Sequence, residues 1–166
     1  MESRKIALAS AGLAALLSGA AADAGTATGT FTVQATISSA CSVTATTLNF
    51  GTYSPSAASS LTGSSTVSVN CTSGSPYTVA LNVGSGGGSF TTRTLLNGIN
   101  TLNYNLYRDA AYSQVWGDGS GSTYTVAGTG SGLLTSNNIT VYGEIPISQD
   151  KPTGAYTSLI TVTVSY

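Results

Sequence analysis

Three features of the 166-residue sequence predict an all-β chain folded as an antiparallel sandwich. Apolar and polar residues alternate in short runs from Phe31 to Tyr166, and turns rich in Gly, Ser and Asn separate the runs. Nothing after residue 24 repeats its apolar positions at helical spacing. The chain holds two cysteines, Cys41 and Cys71, and a bridge between them would pin two of the runs together.

Residues 1–24 read as a cleavable secretion signal. Arg4 and Lys5 are its basic start, Ile6–Ala22 its apolar stretch, and Ala22-Asp23-Ala24 its small-residue cleavage site. The rival reading, a membrane anchor, is weakened by Ser10, Gly12, Ser18 and Gly19 within a stretch already short for a bilayer. Removal of residues 1–24 from the 166 leaves 142, enough for one domain with its own core. Secretion exposes the two cysteines to an oxidising compartment. Their disulfide adds about 3–4 kcal/mol in the chain-entropy account.

Residues 25–40 precede the first cysteine and form an arm. Within it Phe31, Val33, Ala35 and Ile37 share one face, and Thr30, Thr32, Gln34 and Thr36 the other. This is the pattern of a half-buried strand. A strand outside its domain either folds back onto it or pairs with another chain's sheet edge.

The domain itself is expected to span residues 41–166. Its strand candidates run from Ser42 to Phe50, Ser65 to Thr72 and Pro76 to Gly84, followed by a flexible glycine connection at Gly84–Gly88. Further candidates are Leu102–Arg108, Tyr112–Trp116, Ser122–Ala127, Asn138–Ile147 and Tyr156–Tyr166. Pro146 fits an edge or bulge better than a central strand. In the last candidate Ile160, Val162, Val164 and Tyr166 share a face, which predicts a docked terminal strand that includes its final aromatic.

Charge is sparse. Charged residues make up 7% of the chain and the net charge is −1, which provides no footprint for nucleic acid or an anionic membrane. A surface of Ser, Thr, Asn and Gly suits an extracellular protein that packs against its own copies. The absence of histidine removes Ser-His-Asp and Cys-His arrangements and the commonest metal ligand. Asp109 and Asp118 are candidates for a glycosidase pair or, more simply, for turn residues. The Gly84–Gly88 run lacks the ending of a phosphate loop, and Asp118–Ser122 has too few carboxylates for a calcium loop. Asn70 and Asn138 head glycosylation sequons that fall inside strand patterns. Tyr104, Tyr107, Tyr112, Trp116 and Tyr124 are either a sugar-binding platform or core and cross-strand aromatics. No catalytic residue, cofactor or metal is expected.

The order of landmarks along the chain resembles the spore coat protein U domain family, which includes subunits of archaic (Csu-type) chaperone–usher pili. These landmarks are SSACSV around Cys41, FGTYSP at Phe50–Pro55, VSVNCTSGSPYTVAL at Val67–Leu81 and Arg93-Thr94-Leu95. They continue with LNYNLYRDA at Leu102–Ala110, YGEIPISQ at Tyr142–Gln149 and the closing GAYTSLITVTVSY. One departure is visible: the family commonly has an aspartate two residues after the tyrosine of the closing motif, where this chain has Ser158.

The resemblance implies an incomplete immunoglobulin-like sandwich, completed by a donor strand from a neighbouring subunit. It implies a periplasmic chaperone that first lends a strand and an outer-membrane usher that exchanges it for the next subunit's arm. Carried onto this sequence, Phe31, Val33, Ala35 and Ile37 are the donor residues, and Ile160, Val162, Val164 and Tyr166 border the acceptor groove. The expected protein is a structural subunit of a surface fibre, a pilus rod or adaptor supporting adhesion and biofilm formation, secreted through the periplasm. Its partners are identical or related subunits, with no nucleic acid and no membrane insertion of the mature chain. The alternatives are a spore or cell coat protein and a secreted carbohydrate-binding module.

Overall fold

The computed structural model describes residues 24–166; the signal sequence expected over 1–24 lies, apart from Ala24, outside the described residues. The chain divides into two units between Thr36 and Ile37. In the first, residues 24–36 form no regular secondary structure, and Phe31 and Val33 are solvent-exposed. The strand expected across the arm is therefore not formed within the single chain. Alternation specifies a face, but a strand exists only where its N–H and C=O groups meet a partner.

The second unit is built from eight strands: β1 Cys41–Ala45, β2 Leu61–Cys71, β3 Pro76–Leu81, β4 Arg93–Asn97, β5 Asn100–Tyr107, β6 Val126–Thr129, β7 Asn137–Ile145 and β8 Val162–Ser165. No helix occurs among the described residues. One sheet has the order β1-β2-β7-β5-β4 and the other β6-β3-β8, with every strand pairing antiparallel. The core between them holds Val67 and Val69 of β2, Tyr77, Val79 and Leu81 of β3, Leu102, Tyr104 and Leu106 of β5, and Val141 and Ile145 of β7. Each set falls at every second residue, the period by which a pleated strand turns side chains to one face.

Several boundaries move. β1 stops at Ala45; Thr46 N–H still donates to the Thr66 carbonyl (2.9 Å), and residues 47–60 form no strand. β8 begins at Val162 and stops before Tyr166, which is 60% exposed and not the docked aromatic expected. Tyr112–Trp116 forms only isolated bridges, Val115 with Tyr107 and Trp116 with Tyr124, rather than a strand. Pro146 directly follows central strand β7, so it interrupts no ladder.

The glycine run is not a loose connection. Ser85 N–H donates to the Leu159 carbonyl (2.9 Å) and Gly86 N–H to the Ser158 hydroxyl (3.1 Å). A Cβ at Gly86 would run into the Thr94 carbonyl, so glycine here allows a close backbone approach. Ser158, at the departure from the family pattern, thus holds this turn.

One buried charge was not foreseen. Arg93 is fully enclosed, and its guanidinium donates to the carbonyls of Asn82 (3.0 and 3.1 Å) and Trp116 (2.6 Å) and to Asn105 Oδ1 (2.7 Å). Burial pulls its pKa below the ordinary arginine value. Asn105 is buried to serve it, although alternation along β5 assigns that residue to the outer face. The fork of donors satisfies backbone carbonyls that loop geometry leaves without a ladder.

Candidate functional site: an open groove into the core

The two sheets approach each other at the end that holds the disulfide, where β1 nears β8, and part at the other. At the first end the Cys41–Cys71 disulfide joins β1 to β2, with the two residues paired in register. Ala40 is fixed there too, its carbonyl accepting from Thr72 N–H at 2.9 Å. β1 and β8 approach each other at this end.

Beyond Ala45 and Val162 the covering chain separates, and a groove of about 940 Å³ opens between residues 45–53 and 152–162. Its lining includes core residues Val67, Leu81, Leu102, Tyr104, Leu106, Val141 and Ile145, flanked by Leu48, Phe50, Leu95, Ile160 and Val162. The core residues on its floor are buried, and the half-buried apolar side chains are those of its walls.

Its near wall exists because of two paired glycines. Gly63 of β2 lies opposite Gly143 of β7, and Leu48 and Phe50 rest on them. A Cβ on Gly143 would come within 2.8 Å of both side chains. Further along, Tyr53 Oη donates to the Pro146 carbonyl and accepts from Gln149 N–H, both at 2.9 Å. The far wall hangs from β4 through paired bonds between Leu96 and Thr157, 2.8 and 3.0 Å. In the groove region the hydroxyl of Tyr104 is buried without a hydrogen-bond partner, beside Ser158 and Gly84. Burial raises its pKa above the usual tyrosine value.

Of the four residues expected at the groove edge, Ile160 and Val162 line it. Val164 packs against the core beyond the end of the groove's lining, and Tyr166 lies past β8. β8 ends its sheet, paired with β3 alone. The groove floor escaped the sequence reading, because its residues are ordinary inward positions of β2, β5 and β7. Nothing in a strand's own pattern marks which part of its inner face borders a groove.

The chemical alternatives resolve differently. Asp109 accepts from the hydroxyl of Ser113 (2.7 Å) and from Gln114 N–H (2.8 Å), while Asp118 accepts from the Ser120 hydroxyl (2.6 Å) and N–H (2.8 Å). These bonds, led by the serine hydroxyls, hold both carboxyls below the usual range. A glycosidic general acid needs the opposite shift. Both are turn residues. The five-aromatic platform is also dispersed: Tyr104 and Trp116 are core, with Trp116 Nε1 donating to the Val79 carbonyl (3.1 Å). Tyr107 and Tyr112 pack edge to face, Tyr112 packs likewise on Tyr142, and Tyr124 lies beneath Arg108. Asn70 and Asn138 sit on β2 and β7 with their amides engaged by Leu133, Ser136 and Ser68.

A two-sheet antiparallel sandwich with an apolar-walled groove along it is the class of protein defined here. Residues 27–163 match the Spore Coat Protein U domain, and the chain belongs to that family. It is 32% identical over 169 residues to Protein U of Myxococcus xanthus, covering 92% of each chain. In structure it is similar to a chain of the CsuC–CsuE chaperone–tip adhesion subunit pre-assembly complex from archaic chaperone–usher Csu pili of Acinetobacter baumannii. The TM-score is 0.54 and the identity 22%, over 79% of this chain and 41% of that one. That likeness shows the shared fold.

Proposed function

We propose that this chain is a structural subunit of a secreted surface fibre, joined copy to copy by the arm of one filling the groove of the next. The observation that carries this reading is a fit between two features. The groove is walled by half-buried apolar side chains, Leu48, Phe50, Leu95, Ile160 and Val162, and the arm presents Phe31, Val33 and Ile37 to solvent, with Ala35 between. Arm residues 30–37, eight residues and about 26 Å when extended, compare with the nine residues 45–53 of the near wall. Burying a Phe, Val or Ile side chain contributes roughly 1.5–3 kcal/mol. Three of them plus a backbone ladder make a slowly dissociating joint.

An apolar-walled groove is also an aggregation hazard, which gives a periplasmic chaperone its role and an outer-membrane usher the role of exchanging chaperone for arm. Within this reading the protein acts at the cell surface as a rod or adaptor supporting adhesion and biofilm formation, and it performs no catalysis. The family's name and the likeness to Protein U favour a second setting, a spore or cell coat built with the same joint. The test is electrophoresis of assemblies isolated from cells. Unboiled samples are expected to run as a ladder that collapses to monomer on heating; monomer in both lanes would contradict the reading.

A further inference from the structure

Outside the arm, the exposed large aliphatic side chains of the domain are Ile99, Leu133, Leu134, Ile147 and Leu159. Their positions follow the strands. β2 runs from Leu61, opposite Ile145, to Cys71, opposite Cys41, and these pairs define two poles. Leu133 and Leu134 lie at the Cys71 pole: the Leu133 carbonyl accepts from Asn70 Nδ2 (3.3 Å), and Gly132 N–H donates to the Cys71 carbonyl (3.0 Å). Ile99, in the β4–β5 turn, and Ile147, just after β7, stand at the opposite pole. Leu159 borders the groove. The outward residues of β2 and β7 between the poles are Thr, Ser and Asn, with Tyr142 and Glu144.

Toward the Cys71 pole the groove's lining stops at Ala45 and Val162, where β1 approaches β8, and toward the Ile99 pole it continues to Tyr53 and residues 149–155. An arm attached to a folded body must therefore leave through the Ile99 pole. Only Ser38, Ser39 and Ala40 separate Ile37 from Cys41, about 13–14 Å of extended chain. The donor's Cys71 pole is thereby held against the acceptor's Ile99 pole.

We infer that successive copies touch pole to pole, Leu133 and Leu134 of the arm-lending copy packing on Ile99 and Ile147 of the copy that receives the arm. This rests on the arm-in-groove reading above. So few side chains would not hold two free copies together. The arm supplies a high effective concentration, so the contact sets the angle and stiffness of the joint instead of its affinity.

A chain carrying both Ile99→Cys and Leu134→Cys tests it, with assemblies oxidised, boiled without reductant and run on a gel. The poles are too far apart to bridge within one copy, so a ladder that now survives boiling is the expected result. Ile147→Cys with Leu133→Cys is the second pair, and either pair linking supports the contact. If the unboiled ladder forms but neither pair links, or Leu134→Cys links only to itself or to Asn138→Cys on the flank, the contact is overturned and the arm reading stands. If the native chain forms no ladder, both fall together. A Leu133→Ser, Leu134→Ser variant is further expected to keep the ladder while its fibres lose persistence length under the electron microscope. Unchanged stiffness would also overturn the contact.

Discussion

Residues 31–37 and residues 160–164 carry the same alternation, Phe-Thr-Val-Gln-Ala-Thr-Ile in the arm and Ile-Thr-Val-Thr-Val near the chain's end. The second stretch docks. Val162 and Val164 pack on the core, and β8 lies beside β3 with Val79 opposite Val164. The first forms no strand among the described residues. The contrast separates two kinds of information that alternation tends to merge: which face of a segment is apolar, and where the sheet that will take it is found. β8 is also an edge strand, so the chain holds both an alternating segment that forms no strand and a sheet edge with one neighbour.

Matched substitutions in the two stretches should break this symmetry most sharply. Val162→Arg places a charge against the sandwich interior and is expected to prevent accumulation of folded subunit, whatever the state of assembly. Phe31→Arg should leave a folded, disulfide-bonded domain with unchanged circular dichroism, yet abolish the ladder on unboiled gels. Equal loss of folding in both variants would show that the arm is part of its own domain.

The next effect belongs to the core that both stretches depend on. Arg93→Ala leaves the carbonyls of Asn82 and Trp116 without the guanidinium and takes from Asn105 Oδ1 one of two donors, Leu106 N–H remaining. At about 1 kcal/mol for each lost partner, the expected destabilisation is about 3 kcal/mol, read from urea unfolding midpoints. Gly143→Val acts on the groove wall alone. Its side chain displaces Leu48 and Phe50, so polymers should still form but fall to monomer at a lower temperature than the native ladder.

The smallest effect is alkaline. Burial keeps Tyr104 neutral in the folded domain above the pH at which an unfolded tyrosine ionises, about 10. Its contribution is fully present below that pH and is lost as pH rises toward the folded-state pKa. Stability should therefore begin to fall only above about pH 10, and Tyr104→Phe should flatten that fall in unfolding curves measured across the range.

Much of this architecture was legible because strands advertise their inward faces. The core positions of β2, β3 and β5 stand at period two, and the Cys41–Cys71 bridge followed from cysteine number and secretion. What stayed hidden depends on contacts distant in sequence. Asn105 is buried by an arginine on the neighbouring strand, and Gly84–Gly88 is stiffened by Ser158, 72 residues beyond Gly86. The groove was hidden for the same reason: Leu106 and Val141 read as core, and they are core, on the floor of a groove whose lining ends at Ala45 and Val162. The arm's pattern was plain, while its destination drew on family resemblance.

That destination can be read directly. A photoreactive benzophenone amino acid replaces Val33, fibres are assembled from a mixture of isotopically light and heavy chains, and mass spectrometry locates the cross-links after irradiation. The arm-in-groove joint predicts links from Val33 to residues 45–53 or 152–162 that combine light with heavy chains. Links confined to a single chain, or falling outside the groove, would contradict it.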